Sequence, residues 1–466
     1  MAHSAGSNPY TAQLASYTSS LRSEDVPPEV LHRLKLLMLD SLGCGLFGAD
    51  LPWVRILKTT LSQLDQTSMG PACWGSNVRL SAPHAVLVNG TQIQGFELDD
   101  VHRHGVLHVG AVTLPGLLAI AARGGLSGKE FLAAALAGYE TGPRVGICMG
   151  QEHIGQGWHS GATVGVFASG AACARALRLD ADQTVHALGI AGTQAAGLMA
   201  AQYGAMVKRM HAGRSAQSGF YAAELAKNGF TGITDVFESE YGGFCTTFSR
   251  SQDRFQLSAL TQGLGSVYET QRIALKFYSC VGSNHTTLDA IQDIKKRHPF
   301  QIQDIGKIRV FGSQVTADHV GWAYKPEGLT SAQLNLPFCV ATLLLEGDVF
   351  VHQFPESCVN DQKRIEVSRL VEVQEDPAIT ALGSKFRHKV RVEIEFKDGL
   401  KETETREAPR GSELFFAFDD DIRAKFKKLG LSAFPEDHLN RLADLVMNLE
   451  QVADSKELVG LLEKSH

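Results

Sequence analysis

The chain has 466 residues, 44% of them hydrophobic and 20% charged, and a net charge of −6. This average composition excludes a disordered chain, and with no basic excess and no long Lys/Arg run it argues against nucleic acid and anionic membrane as partners. Glycine is the one excess, 46 residues where a typical chain has about 7%, so backbones must turn tightly or approach closely.

Residues 1–7 lack a basic region and an apolar run, so no signal peptide is expected. The length predicts two or three packed units. The first half reads as helix after helix. Pro27-Pro28-Glu29 opens a helix that Val30, Leu31, Leu34, Leu37, Met38 and Leu42 continue at helical spacing, with Gly43 and Gly45 expected to break or loosen it. Further helical windows are 81–94, 113–122, 128–137, 163–177, 181–200 and 216–228. The longest apolar stretch, 111–122, is too short to span a bilayer and contains Pro115. A soluble, cytoplasmic protein is expected.

The pattern changes near residue 300. Residues 307–312 alternate as a strand. In 386–396, Val390, Val392, Ile394 and Phe396 share one face, Asp398-Gly399 makes a turn, and 400–405 returns, a hairpin signature. Between them 331–345 and 361–367 look helical. After residue 415 the chain is helical again, with Leu439, Leu442, Leu445, Val446, Leu449 and Val452 in one stripe expected to pack back on the first domain. The fold class is therefore mainly α. A large all-helical domain (1–271 plus 406–466) is formed by both chain ends, and a smaller α+β domain (272–405) is inserted. The eight cysteines (44, 73, 148, 173, 245, 280, 339 and 358) form no CxxC pair and sit in apolar segments. They read as reduced, buried thiols of an intracellular protein, without structural zinc.

Four segments concentrate reactive side chains. Glu97, Asp99, Asp100, His102, His104 and His108 can share protons and suit acid–base work; a metal site and a solvated helix end are the other readings. His159 is boxed by glycines in Gly155-Gln156-Gly157-Trp158-His159-Ser160-Gly161 and leads into a helix, a setting that favours anions. Lys208, Arg209, His211 and Arg214 form a cationic cluster suited to a carboxylate-rich ligand, or a solvated helix end. In Lys276-Phe277-Tyr278-Ser279-Cys280-Val281-Gly282-Ser283-Asn284-His285 the cysteine reads as a structural thiol rather than a nucleophile. Glycines cluster in the same segments (105, 110, 155, 157, 161, 204, 213 and 282) and mark loops expected to line a cleft. There is no GxGxxG unit after a strand and no P-loop, so no nucleotide cofactor is indicated.

In this order the segments resemble the MmgE/PrpD family, which includes 2-methylcitrate dehydratases, cis-aconitate decarboxylases and iminodisuccinate epimerases. The resemblance runs from Leu39-Asp40-Ser41-Leu42-Gly43 to the C-terminal helices. It rests on ELDDxH at 97–102, LHxGAxxLP at 107–115, GWHxGAxxG at 157–165 and AQYGxMVKRxHxG at 201–213. It implies that the inserted domain is a lid, that the protein is a homodimer, and that no metal or organic cofactor is used. It implies a catalytic set of Asp100, His108, His159 and Lys208. Asp99, Arg209, Lys276 and His285 would bind a small di- or tricarboxylate. Two departures stand out: Val101 replaces a threonine after the acid pair, and Val281 replaces a histidine, with His285 nearby. The activity implied is that of a cofactor-free lyase, cis-aconitate decarboxylase-like, with His159 or His108 as proton donor and Asp100 orienting one imidazole. The alternatives are an alkylcitrate dehydratase and a dicarboxylate epimerase. From other classes, the alternatives are a non-catalytic helical scaffold and a metal-dependent hydrolase using Asp99, His102, His104 and His108.

Overall fold

A computed structural model of the chain describes residues 9–65, 67, 70–150, 152–202, 205–383 and 386–464. The N-terminal stretch 1–7 and Tyr203-Gly204 of the third segment lie outside the described residues. The fold is mainly α, and the chain divides into two units. The first takes the chain up to Gly95, then Asp99–Ala274, then Phe418 onward; the second takes Phe96–Leu98 and Leu275–Ala417.

In the first unit, helix α1 (Pro28–Gly48) starts at the proline pair, where the missing N–H costs nothing. Gly43 and Gly45 do not break it. A Cβ on Gly43 would stand 3.1 Å from the Phe426 backbone, and one on Gly45 would stand 2.9 Å from the Trp74 ring. Close packing against these neighbours offsets the propensity cost of glycine, about 1 kcal/mol in a helix interior.

Helices α2 (Ala82–Ile93), α3 (Val109–Ala121), α4 (Gly128–Met149), α5 (Gly165–Ala176) and α6 (Val207–Lys227) follow. A Ser127–Glu130 capping box fixes the start of α4, which runs on through Pro143 past its predicted end. It is buried along nearly its whole length, so no polar stripe marks its second half. Helix α6 begins nine residues before its predicted window because the cationic cluster lies inside its first two turns. The window 181–200 shortens to Ala181–Gly192. Helix α5 packs on α4 and α6, and α6 packs on α2 and α3. The unit is not wholly helical. Strand β1 (Val101–His102) pairs antiparallel with β2 (Ile273–Ala274), a ribbon too short to leave a period in the sequence.

The second unit holds α7 (Gly282–Arg297) and a four-stranded sheet in the order β4-β3-β5-β6. Its strands are β3 (Ile305–Gly312), β4 (Val371–Glu375), β5 (Val390–Phe396) and β6 (Lys401–Arg406). The alternating face of β5 is buried as the pattern predicts, while 386–389 stay outside the strand. Gly399 turns the β5–β6 hairpin at φ +90°. Strand β4 runs parallel to β3 and was not predicted; it is five residues long with only Val371 buried.

Past residue 417 the chain rejoins the first unit as α8 (Asp419–Gly430) and α9 (Glu436–Met447). Helix α8 packs on α1. Leu439, Leu442, Val446 and Leu449 are buried as the stripe predicts. All eight cysteines are buried and free. Among the described residues no helix is long and apolar enough to cross a membrane.

Candidate active site

The acidic segment is no solvated loop: Asp99, Asp100 and His102 are each 0% exposed. Both oxygens of Asp100 accept the Gly110 N–H, at 3.1 Å, at the start of α3, where backbone donors and the helix dipole favour a carboxylate. Position 110 must be glycine, since a Cβ would stand 1.9 Å from Ser41 Oγ. Gly110 and Gly213 thus lie inside helices at close approaches, not in loops. Burial, and next the neighbouring Asp99, push the Asp100 carboxyl well above the usual carboxylate range. Two adjoining buried acids favour keeping one proton between them.

Asp99 is the carboxylate beside an imidazole. Its Oδ2 is 3.0 Å from His108 Nδ1. Of the two acids it is Asp99, and not Asp100, that stands beside His108. His108 is the residue just before α3 and its side chain keeps 19% exposure, against none for Asp99. A buried carboxyl group thus stands directly behind a partly open imidazole. His102 serves the loop instead. Its Nδ1 accepts the Gly105 N–H at 2.9 Å, so Nε2 carries the proton and donates it to Glu269 at 3.0 Å. Among the described residues no three His, Cys, Asp or Glu side chains come together as a metal-binding group.

His159 precedes the short helix Ser160–Thr163 and is 9% exposed. Its Nδ1 lies 3.0 Å from Nδ1 of His211, a member of the cationic cluster. One N–H fits between the two rings, so one donates and the other accepts. Burial, then Lys208, hold His211 below the ordinary histidine range. His211 could have been singled out: it follows Lys208 by three positions, one turn along the same helix face. Lys208 and Arg209 stand in the first turn of α6. Cations there oppose the helix dipole, so an anion at this end is favoured by both. Arg209 is buried, with its guanidinium 6.0 Å from the Trp53 ring centre.

The second unit carries Lys276 and His285. Lys276 Nζ is 3.3 Å from Glu97 Oε2, and Glu97 holds a left-handed φ of +57°, a strained conformation for a non-glycine residue. His285 Nε2 lies 3.1 Å from the Cys280 carbonyl, inside its own segment. Burial drives the Cys280 thiol well up, which suits a structural cysteine.

Residues 12–256 match the MmgE/PrpD N-terminal domain, and residues 278–451 match the MmgE/PrpD C-terminal domain. The chain belongs to the MmgE/PrpD family. It is 35% identical to the cis-aconitate decarboxylase-like protein oryM of Aspergillus oryzae, over 97% of both chains. It is 32% identical to the cis-aconitate decarboxylase of Aspergillus terreus, over 97% of this chain and 95% of that one. It is 24% identical to the human cis-aconitate decarboxylase, over 97% and 94%.

One histidine near the site of this MmgE/PrpD protein sets an acid limit on its stability. His153 is 2% exposed, its Nε2 lies 2.7 Å from Thr163 Oγ1, and burial pushes its pKa down to about 4. Unfolded, it titrates near ~6.5. Protons therefore bind the unfolded chain first. The stabilisation is complete above pH ~6.5 and declines by up to ~3 kcal/mol as pH falls toward 4. Urea unfolding between pH 7 and 4.5 measures it. The His153→Gln variant should lose this part of the slope, and an unchanged slope refutes the assignment.

Proposed function

We propose that this protein is a lyase acting on a small tricarboxylate, converting cis-aconitate to itaconate and CO2. The observation that carries the reading is the buried Asp99 held 3.0 Å from the half-open His108, in a chain similar along nearly its whole length to proteins named cis-aconitate decarboxylase. Lys208 and Arg209 at the start of α6 bind and orient substrate carboxylates. The C–C bond to one carboxylate breaks, CO2 leaves, and its electron pair spreads over the allylic system. His108 as imidazolium gives a proton to the far carbon, the double bond shifts, and the ring regains its proton from solvent. Asp99 keeps the ring oriented and charged during this step, while Asp100 fixes the loop on α3. The finer expectations, a homodimer in the cytoplasm with no cofactor, belong to the same proposal.

A dehydratase reading is favoured by one feature, the His159–His211 pair. With His211 held below its ordinary range, this pair supplies a neutral base for removing a proton beside a carboxylate. Incubating the pure protein with cis-aconitate, and separately with 2-methylcitrate, and following both by proton NMR tests the two readings. Itaconate should appear from cis-aconitate. A hydrated and dehydrated pair without CO2 would replace the decarboxylase reading with the dehydratase.

A further inference from the structure

We propose that Lys425 is a positioning residue of the site: its ammonium, paired with Asp40 beneath the acid pair, keeps Asp99 a carboxylate for His108. Lys425 comes from α8 and Asp40 from α1. Lys425 Nζ is 2.5 Å from Asp40 Oδ1, with the two side chains 2% and 0% exposed. Burying such a pair costs several kcal/mol per ion, and apolar residues of the same size often do as well. A buried pair therefore calls for a use. Its surroundings supply one.

Three carboxyl groups, Asp40, Asp99 and Asp100, are fully buried together. Lys425 is felt electrostatically by both members of the acid pair as well as by Asp40. Among the described residues, Cys44 and Tyr139 also feel the charges of this cluster. Burial drives both upward, so they stay neutral. The charge count then closes. Asp100 retains a proton, Asp40 balances Lys425, and Asp99 is left to balance the imidazolium of His108. Without Lys425 three acids would face one imidazole, and protons would be shared among them. The path is short, because Ser41, next to Asp40, abuts Gly110, two residues beyond His108.

This inference rests on His108 as proton donor and not on which acid is the substrate. It is tested in the full-length protein without substrate, by NMR titration of 13C-labelled histidine rings, with the His108 signal assigned by its loss in His108→Gln. Asp40→Asn leaves the Lys425 charge uncompensated, so the His108 pKa should fall by about one unit. Lys425→Met removes a positive charge. The three acids then share protons, Asp99 loses part of its charge, and His108 should move downward; an upward shift, with Asp99 still ionised, overturns the proposal. The charge-neutral double variant should return His108 to within a few tenths of the starting value, and Lys425→Arg should leave it there. If a single variant does not fold, Lys425→Arg and the double variant still decide: a displaced His108 in either overturns the proposal. So does an unmoved His108 in folded Asp40→Asn. If these shifts appear but cis-aconitate is not turned over, the substrate reading fails and this inference stands.

Discussion

Replacing His108 with glutamine lowers kcat by ~10²–10⁴-fold with the fold intact, the usual yield of a positioned proton donor. His108 precedes α3, yet its side chain makes no capping hydrogen bond there, so glutamine should cost the helix little. What is lost is the ring that Asp99 holds at 3.0 Å. Glutamine cannot be protonated near neutral pH, so the carbanion left after CO2 loss has no acid beside it. His159→Gln should be milder if His159 acts only through the neutral pair with His211, because an amide can still exchange one hydrogen bond with that ring. Itaconate formation by NMR measures both, with circular dichroism as the check on folding. If His108→Gln keeps more than a tenth of the original kcat, His108 is not the donor; if His159→Gln then loses the full range, the role passes to His159.

Gly213→Val should be the most damaging change away from the reacting groups. A Cβ at Gly213 would stand 2.1 Å from the Leu87 carbonyl oxygen and 2.5 Å from Thr91 Oγ1. On the facing helix, a Cβ at Gly90 would come within 2.6 Å of the Gly213 Cα. Helices α2 and α6 therefore meet backbone to backbone. The obstacle is main chain, which cannot swing aside as a long side chain would. Overpacking of this kind costs ~1–3 kcal/mol and sometimes more. Helix α6 also carries Lys208, Arg209 and His211, so turnover should fall along with stability. Gly460→Ala is the control. It lies in the helix Lys456–Leu461 with nothing within 4 Å of a new Cβ, and alanine there should gain up to ~1 kcal/mol. Denaturant unfolding compares the two. Equal stability of both variants would mean that the α2–α6 contact can relax.

Much of the fold was legible where one side of an element meets water. The β5–β6 hairpin shows strict alternation and an Asp-Gly turn, and α9 shows a single apolar stripe. The missed parts lack such a contrast. The second half of α4 is buried nearly all round, and the first turns of α6 hold charges that hide the helical period. In the candidate site, the glycine-boxed His159 and the clustered acids drew attention to segments whose side chains are buried and in contact with one another. Their pairing was not legible. Asp99 and Asp100 are neighbours, and no spacing rule says which one faces His108. His159 meets His211 across 52 positions, and Asp40 meets Lys425 across 385, distances at which only tertiary structure chooses partners.

That last separation bears on how the polypeptide is made. Asp40 leaves the ribosome early, while its counter-ion arrives only after the whole second unit has been synthesised. Until then a nascent chain must keep α1 partly open or hold Asp40 protonated. A product cut short after residue 417 would stay in that condition. The acid cluster thus distinguishes a finished chain from an interrupted one.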